Sequence, residues 1–173
     1  MVDLGWADLA STRSGVRIID SHQNLDISFP QSFFDIDRER FDLDGIWMRW
    51  RVRKTLDTLN KNVVKILWEV GFVDGNVAIP LSSPGTSVIG VEPLLQGAVI
   101  TSQNEIRIYV GTLESLNLPS NSLYVVGVFD VLEHLEKPKD LLAAVYRVLK
   151  PGGIFLVTVP AHEWLFSNFD VNI

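Results

Sequence analysis

Five short apolar runs mark the chain from residue 63 onward: VVKILWEV (63–70), SVIGVE (87–92), EIRIYVG (105–111), LYVVGVFDV (123–131) and GIFLVTVP (153–160). Each is rich in Val and Ile and stays apolar along most of its length instead of alternating. Strands of this kind belong to a parallel sheet covered on both faces. Between the last two runs, Leu141, Leu142, Val145, Val148 and Leu149 recur as one helical stripe, and Lys150, Pro151, Gly152 and Gly153 stop it. Upstream, residues 45–60 place Ile46, Trp50, Val52, Leu56 and Leu59 at roughly helical spacing, with Arg and Lys in the gaps. Residues 1–44 show no clean period and predict an irregular N-terminal extension with room for one short helix. Residues 45–173 then form the folded core, expected to be α/β and doubly wound, with five strands in a mostly parallel sheet.

Composition narrows the classes. A chain of 173 residues with 47% hydrophobic and 21% charged residues suits one globular domain. Its net charge of −6 argues against nucleic acid as a partner, since phosphate binding needs a basic face. With no cysteine, disulfides and thiolate zinc sites are excluded, and no metal centre is expected. The N-terminus lacks the basic and apolar regions of a secretory signal, and no run is long enough for a membrane span. The expectation is a cytoplasmic protein.

In an open parallel sheet, ligands sit beyond the carboxyl ends of the strands. The first run ends in Glu69, Val70 and Gly71, followed by Gly75. Glycines here permit tight turns and close approach of a ligand. Glu92 ends the second run, 21 positions after Gly71, where a carboxylate can accept hydrogen bonds from both hydroxyls of a ribose. The alternative is a plain turn and a solvated strand end; loop and acid together favour a nucleoside cofactor. The dinucleotide pattern G-x-G-x-x-G, laid on Gly71, fails at Val73 and Asn76, which sets a nicotinamide-dependent dehydrogenase aside. The looser acidic-x-G-x-G-x-G pattern fails only at Val73.

From about residue 64 to 170 the chain resembles the class I S-adenosylmethionine-dependent methyltransferases of the small-molecule type. ILWEVGFVDGNVA is similar to their first motif and VIGVEPLLQGA to the second-strand motif. The run LPSNS, a strand, VLEHL, KPKDLL and RVLKPGG is the most specific part. The resemblance implies strand order 3-2-1-4-5 and S-adenosyl-L-methionine as cofactor. It implies that Glu69, Gly71 and Gly75 face the methionine part, Glu92 the ribose, Thr112 and Leu113 the adenine, and that the carbonyl of Phe129 meets the cofactor's amino group. The acceptor would be a small molecule or a glycan- or lipid-linked precursor.

His134 and His162 are the candidate bases, needed only if the acceptor must lose a proton. For His134 the competing reading is a loop closure or helix cap. Trp164 and Phe166 either line an acceptor pocket or pack on the sheet. Arg49, Arg51 and Arg53 either meet an acidic substrate or form the solvated face of their helix, and the second reading is preferred. Four features depart from the family pattern. Val73 replaces a glycine, Thr112 stands where an Asp usually binds adenine, and Leu123 and Tyr124 replace a Phe-Asp pair. The usual last two strands are missing after the fifth, which predicts an exposed edge. The N-terminal extension, an oligomer or another partner would cover that edge. Two functional readings stay open: a methyltransferase, and a non-catalytic or truncated remnant of that fold.

Overall fold

The computed structural model describes residues 16–18, 46–62, 64–71, 75, 77–82, 85–94 and 106–159. In chain order these form β1 (Val16–Ile18), α1 (Ile46–Lys61), β2 (Ile66–Val70), α2 (Ala78–Leu81), β3 (Ser87–Glu92), β4 (Arg107–Val110), β5 (Leu123–Phe129), α3 (Pro138–Val148) and β6 (Leu149–Thr158). The strands make one sheet in the order β1-β4-β3-β2-β5-β6, parallel at every pairing. Its five strands from β4 to β6 follow the predicted 3-2-1-4-5 order. A sixth strand, β1, comes from within the segment read as irregular, and it pairs with β4. The outer edge of β6 therefore has no strand beside it among the described residues, and Val157 and Val159 are exposed there.

Successive side chains on a strand point to opposite faces, so each strand contributes to two cores. On one face Trp68, Val70, Ile89, Val91, Tyr109, Val126 and Val128 meet Leu141, Ala144, Val145 and Val148 of α3. Here the Trp68 and Tyr109 rings stack with centroids 5.5 Å apart. On the other face Leu67, Val88, Ile108, Val110, Val125 and Phe129 meet Leu59 of α1 and Ala78 and Leu81 of α2. Fully apolar strands are thus explained by burial on both sides.

Helix α3 carries the expected stripe at Leu141, Val145 and Val148, but Leu142 is exposed, and the helix ends at Val148, so Leu149 and the expected stop at Lys150, Pro151, Gly152 and Gly153 already belong to β6. Pro138 opens the helix, Asp140 lies in its first turn and Arg147 in its last, as the helix dipole favours. Arg147 also donates to the carbonyl of Leu118, tying the 112–118 turn to the helix. The chain then enters β6 at once. Leu149 pairs with Leu123 but Ile154 pairs with Val125, so residues 150–153 bulge out of the ladder. A side chain at Gly153 would meet the Lys150 carbonyl at 2.8 Å and the Tyr124 carbonyl at 3.1 Å, so only glycine closes this bulge.

Helix α1 overturns part of its predicted stripe. Among its described side chains the buried ones are Arg51, Thr55 and Leu59, four apart, with Met48, Val52 and Leu56 packed partly against the core. Trp50 is 48% exposed, with the Lys54 ammonium 5.9 Å from its ring centre. The solvated reading of Arg51 is therefore wrong, because that position turns inward with Leu59. Arg49 and Arg53 do lie at the surface.

Candidate cofactor-binding site

The register of the three central strands assembles the site. Glu69 lies opposite Gly90 on β3 and Gly127 on β5. Neither neighbour projects a side chain, so the Glu69 carboxylate is bordered by glycine on both flanking strands. Glu92 lies two residues beyond Gly90, on the same face as Glu69. Both are deeply buried, at 3% and 1% exposure. The Oε1 atom of Glu92 accepts from the backbone N–H of Leu94 at 2.9 Å, which holds the side chain back over its own strand end. Buried carboxylates require hydrogen-bonding partners, and two of them on one face at adjacent strand ends form a strongly acceptor-rich corner.

Gly71 follows β2 with φ of 75°, and its N–H donates to the carbonyl of Val91 at 3.0 Å. A Cβ here would lie 2.3 Å from Cγ2 of Val131. The space beside Gly71 is thus filled by the loop after β5. Glycine is required by its left-handed conformation and by this contact. Gly75, at φ of 77°, is buried, and its carbonyl accepts from the N–H of Ile79 at 2.8 Å, opening α2. Val73 lies outside the described residues.

Beyond β4, the Thr112 hydroxyl accepts from the N–H of Ser115 at 3.2 Å, and the Ser115 hydroxyl donates to the Thr112 carbonyl at 2.9 Å. Thr112 therefore shapes its own turn. Leu113 is fully buried in the α3-side core, which leaves its backbone for any ligand contact. The Phe129 ring occupies the space left by Gly127, where a Cβ would meet it at 2.7 Å.

Sequence reasoning gave no role to the residue after Phe129. Asp130 adopts φ of 53°, a left-handed conformation that Asp tolerates better than most residues. Its Oδ2 is ion-paired with the guanidinium of Arg51, and its Oδ1 accepts from the hydroxyl of Thr158 at 2.8 Å. Arg51 was visible only as part of a basic helix; its four-residue spacing to Thr55 and Leu59 was the available signal. His134 ends a 3₁₀ turn (Leu132–His134), and its N–H donates to the carbonyl of Val131 at 3.1 Å. This is a backbone contact and leaves both readings of the His134 side chain open. His162, Trp164 and Phe166 lie outside the described residues.

The set of acceptors suits a cofactor with an ammonium group and a vicinal diol, because carboxylates accept from both. A family of methyltransferase domains matches residues 68–157, just over half of the chain. The chain belongs to this family. Among relatives, a probable S-adenosylmethionine-dependent methyltransferase of Mycolicibacterium smegmatis is 46% identical over 50 residues, covering 29% of this chain and 20% of the relative. A mitochondrial ubiquinone biosynthesis O-methyltransferase of Rattus norvegicus is 32% identical over 107 residues, covering 56% and 31%. The chain thus spans less than a third of the length of either. The crystal structure of the PH0226 protein of Pyrococcus horikoshii superposes with a TM-score of 0.62 at 19% identity, covering 80% of this chain and 66% of that one. The methyltransferase domain's cofactor is S-adenosyl-L-methionine.

Proposed function

We propose that this chain transfers a methyl group from S-adenosylmethionine to a small-molecule or glycan- or lipid-linked acceptor. The observation that carries the reading is the pair Glu69 and Glu92, buried on one sheet face at the carboxyl ends of adjacent parallel strands. Glu69 would accept from the ammonium of the methionine part, beside the Gly71 turn and Gly75. Glu92 would accept from the ribose hydroxyls. Thr112 and the backbone of Leu113 would border the adenine, and the Phe129 carbonyl would receive a further donor hydrogen bond. The bound cofactor supplies an electrophilic methyl on a sulfonium, and the protein's task is chiefly to position it in line with a nucleophile. His134 and His162 are the proposed bases for an acceptor that must lose a proton.

The rat relative's name, which places it in ubiquinone biosynthesis as an O-methyltransferase, supports an acceptor of small or lipid-linked type. A cytoplasmic setting belongs to the same proposal; among the described residues no helix is long and apolar enough to cross a membrane. So does a partner or second copy along the outer edge of β6. Val73 in the glycine loop favours a second reading, a domain that keeps the fold without transferring.

Calorimetric titration with S-adenosylmethionine and S-adenosylhomocysteine tests the proposal. Binding by the wild type and its loss in Glu92→Gln are expected. A folded wild type that binds neither compound overturns it.

A further inference from the structure

Arg51 is 5% exposed on a helix face otherwise made of Thr55, Leu59 and the partly buried Met48, Val52 and Leu56. A buried ion pair is seldom more stabilising than well-packed apolar side chains of similar size. Core stability alone therefore gives no reason for an arginine here. What such a pair does provide is a fixed position for its partner.

That partner is Asp130, the hinge on which the chain leaves β5. Both carboxylate oxygens of Asp130 are held, one by Arg51 from α1 and one by Thr158 from β6. Its N–H is held as well, donating to the Thr158 carbonyl at 2.9 Å. The residues on either side are the ones that matter to the site. Phe129 packs over Gly127, directly across from Glu69, and Val131 packs on Gly71. A contact chain thus runs from Arg51 through Asp130 and Val131 to the glycine turn.

We propose that Arg51 is a positioning residue for the methyl donor: through Asp130 it sets the Phe129–Val131 turn, and with it the walls around Glu69 and Gly71. The inference rests on the donor site proposed above. Arg51 acts through Asp130 and touches no reacting atom.

The test is calorimetric titration of the full chain with S-adenosylhomocysteine, with thermal unfolding recorded in parallel. Losing a charge-assisted hydrogen bond at this turn predicts an affinity about tenfold or more weaker in Arg51→Met. Arg51→Lys, which keeps the charge, recovers most of it. Leu59→Ala loosens the same helix without touching Asp130; it lowers the unfolding temperature and leaves affinity within about threefold of wild type. Should Arg51→Met fail to fold, Asp130→Asn carries the test, since Asn tolerates the left-handed backbone and lacks the charge. It is expected to show the same loss. Wild-type affinity in Arg51→Met or in Asp130→Asn overturns the positioning role, and so does an equal loss in Leu59→Ala. Absence of binding by the wild type overturns the donor site itself and the positioning role with it, a result distinct from the others.

Discussion

The two faces of this sheet are built by the same strands and do different work. Facing α3, β2 presents Trp68 and Val70, β3 presents Ile89 and Val91, and β5 presents Val126 and Val128. Every one is apolar. Facing α1 and α2, the same strands present Leu67 and Glu69, Val88, Gly90 and Glu92, and Val125, Gly127 and Phe129. This second face is apolar at the amino ends; toward the carboxyl ends it turns to acid and glycine, save for Phe129, whose ring lies over Gly127. The α3 face can be optimised for packing alone. The α1 face gives up packing at one end to seat buried carboxylates beside missing side chains. Buried acids must then be satisfied by hydrogen bonds, so the site end of that face depends on named partners, whereas the α3 face depends on volume.

Substitutions should therefore separate the faces. Trp68→Ala, which removes the ring stacked on Tyr109, should destabilise the domain by about 3–5 kcal/mol, read by chemical unfolding. Donor affinity per folded molecule should hardly change; a large loss of affinity in molecules that remain folded would break the division between faces. Gly71→Ala sits where the faces meet through Val131. Its left-handed φ and the clash predict a loss of about 2–3 kcal/mol, and Val131→Ala in the same chain should restore part of it. A double-mutant cycle showing no coupling between the two would remove Val131 from the account. Glu92→Gln keeps an acceptor for the Leu94 N–H, so stability should stay near wild type. Its affinity for S-adenosylmethionine should fall about tenfold or more, equivalent to at least about 1.4 kcal/mol. The reverse pattern, unfolding without loss of affinity, would make Glu92 a structural acid. The smallest effect belongs to Val73→Gly, expected to tighten donor binding by about two- to fivefold if the loop prefers glycine there. Equal affinities by calorimetry would show that Val73 fits the loop as it stands.

Much of the fold was legible because parallel strands covered on both faces leave a plain mark. Runs such as SVIGVE and LYVVGVF are apolar without alternation, and α3 carries its stripe at Leu141, Val145 and Val148; the glycines expected to stop it lie instead in the β6 bulge, because the helix has already ended at Val148. The strand β1 was not legible: three residues in a segment without periodicity give no pattern to read. In the candidate site, Glu69, Gly71 and Glu92 could be singled out because their positions at strand ends and their spacing are linear facts. Arg51 and Asp130 could not be paired, since they are 79 positions apart and each looks ordinary locally. Arginine in a basic helix suggests solvent, and only the rotation of α1 on the sheet places position 51 inside.

By itself the sequence determined the class of fold, the strands of its sheet and the acids at their ends, because burial and backbone periodicity are written in the order of residues. The tertiary structure alone decided which face each acid shares, why Gly71 must be glycine, and which cation holds the turn after β5. Those depend on strand register and helix rotation, which are set by contacts between residues far apart in the chain.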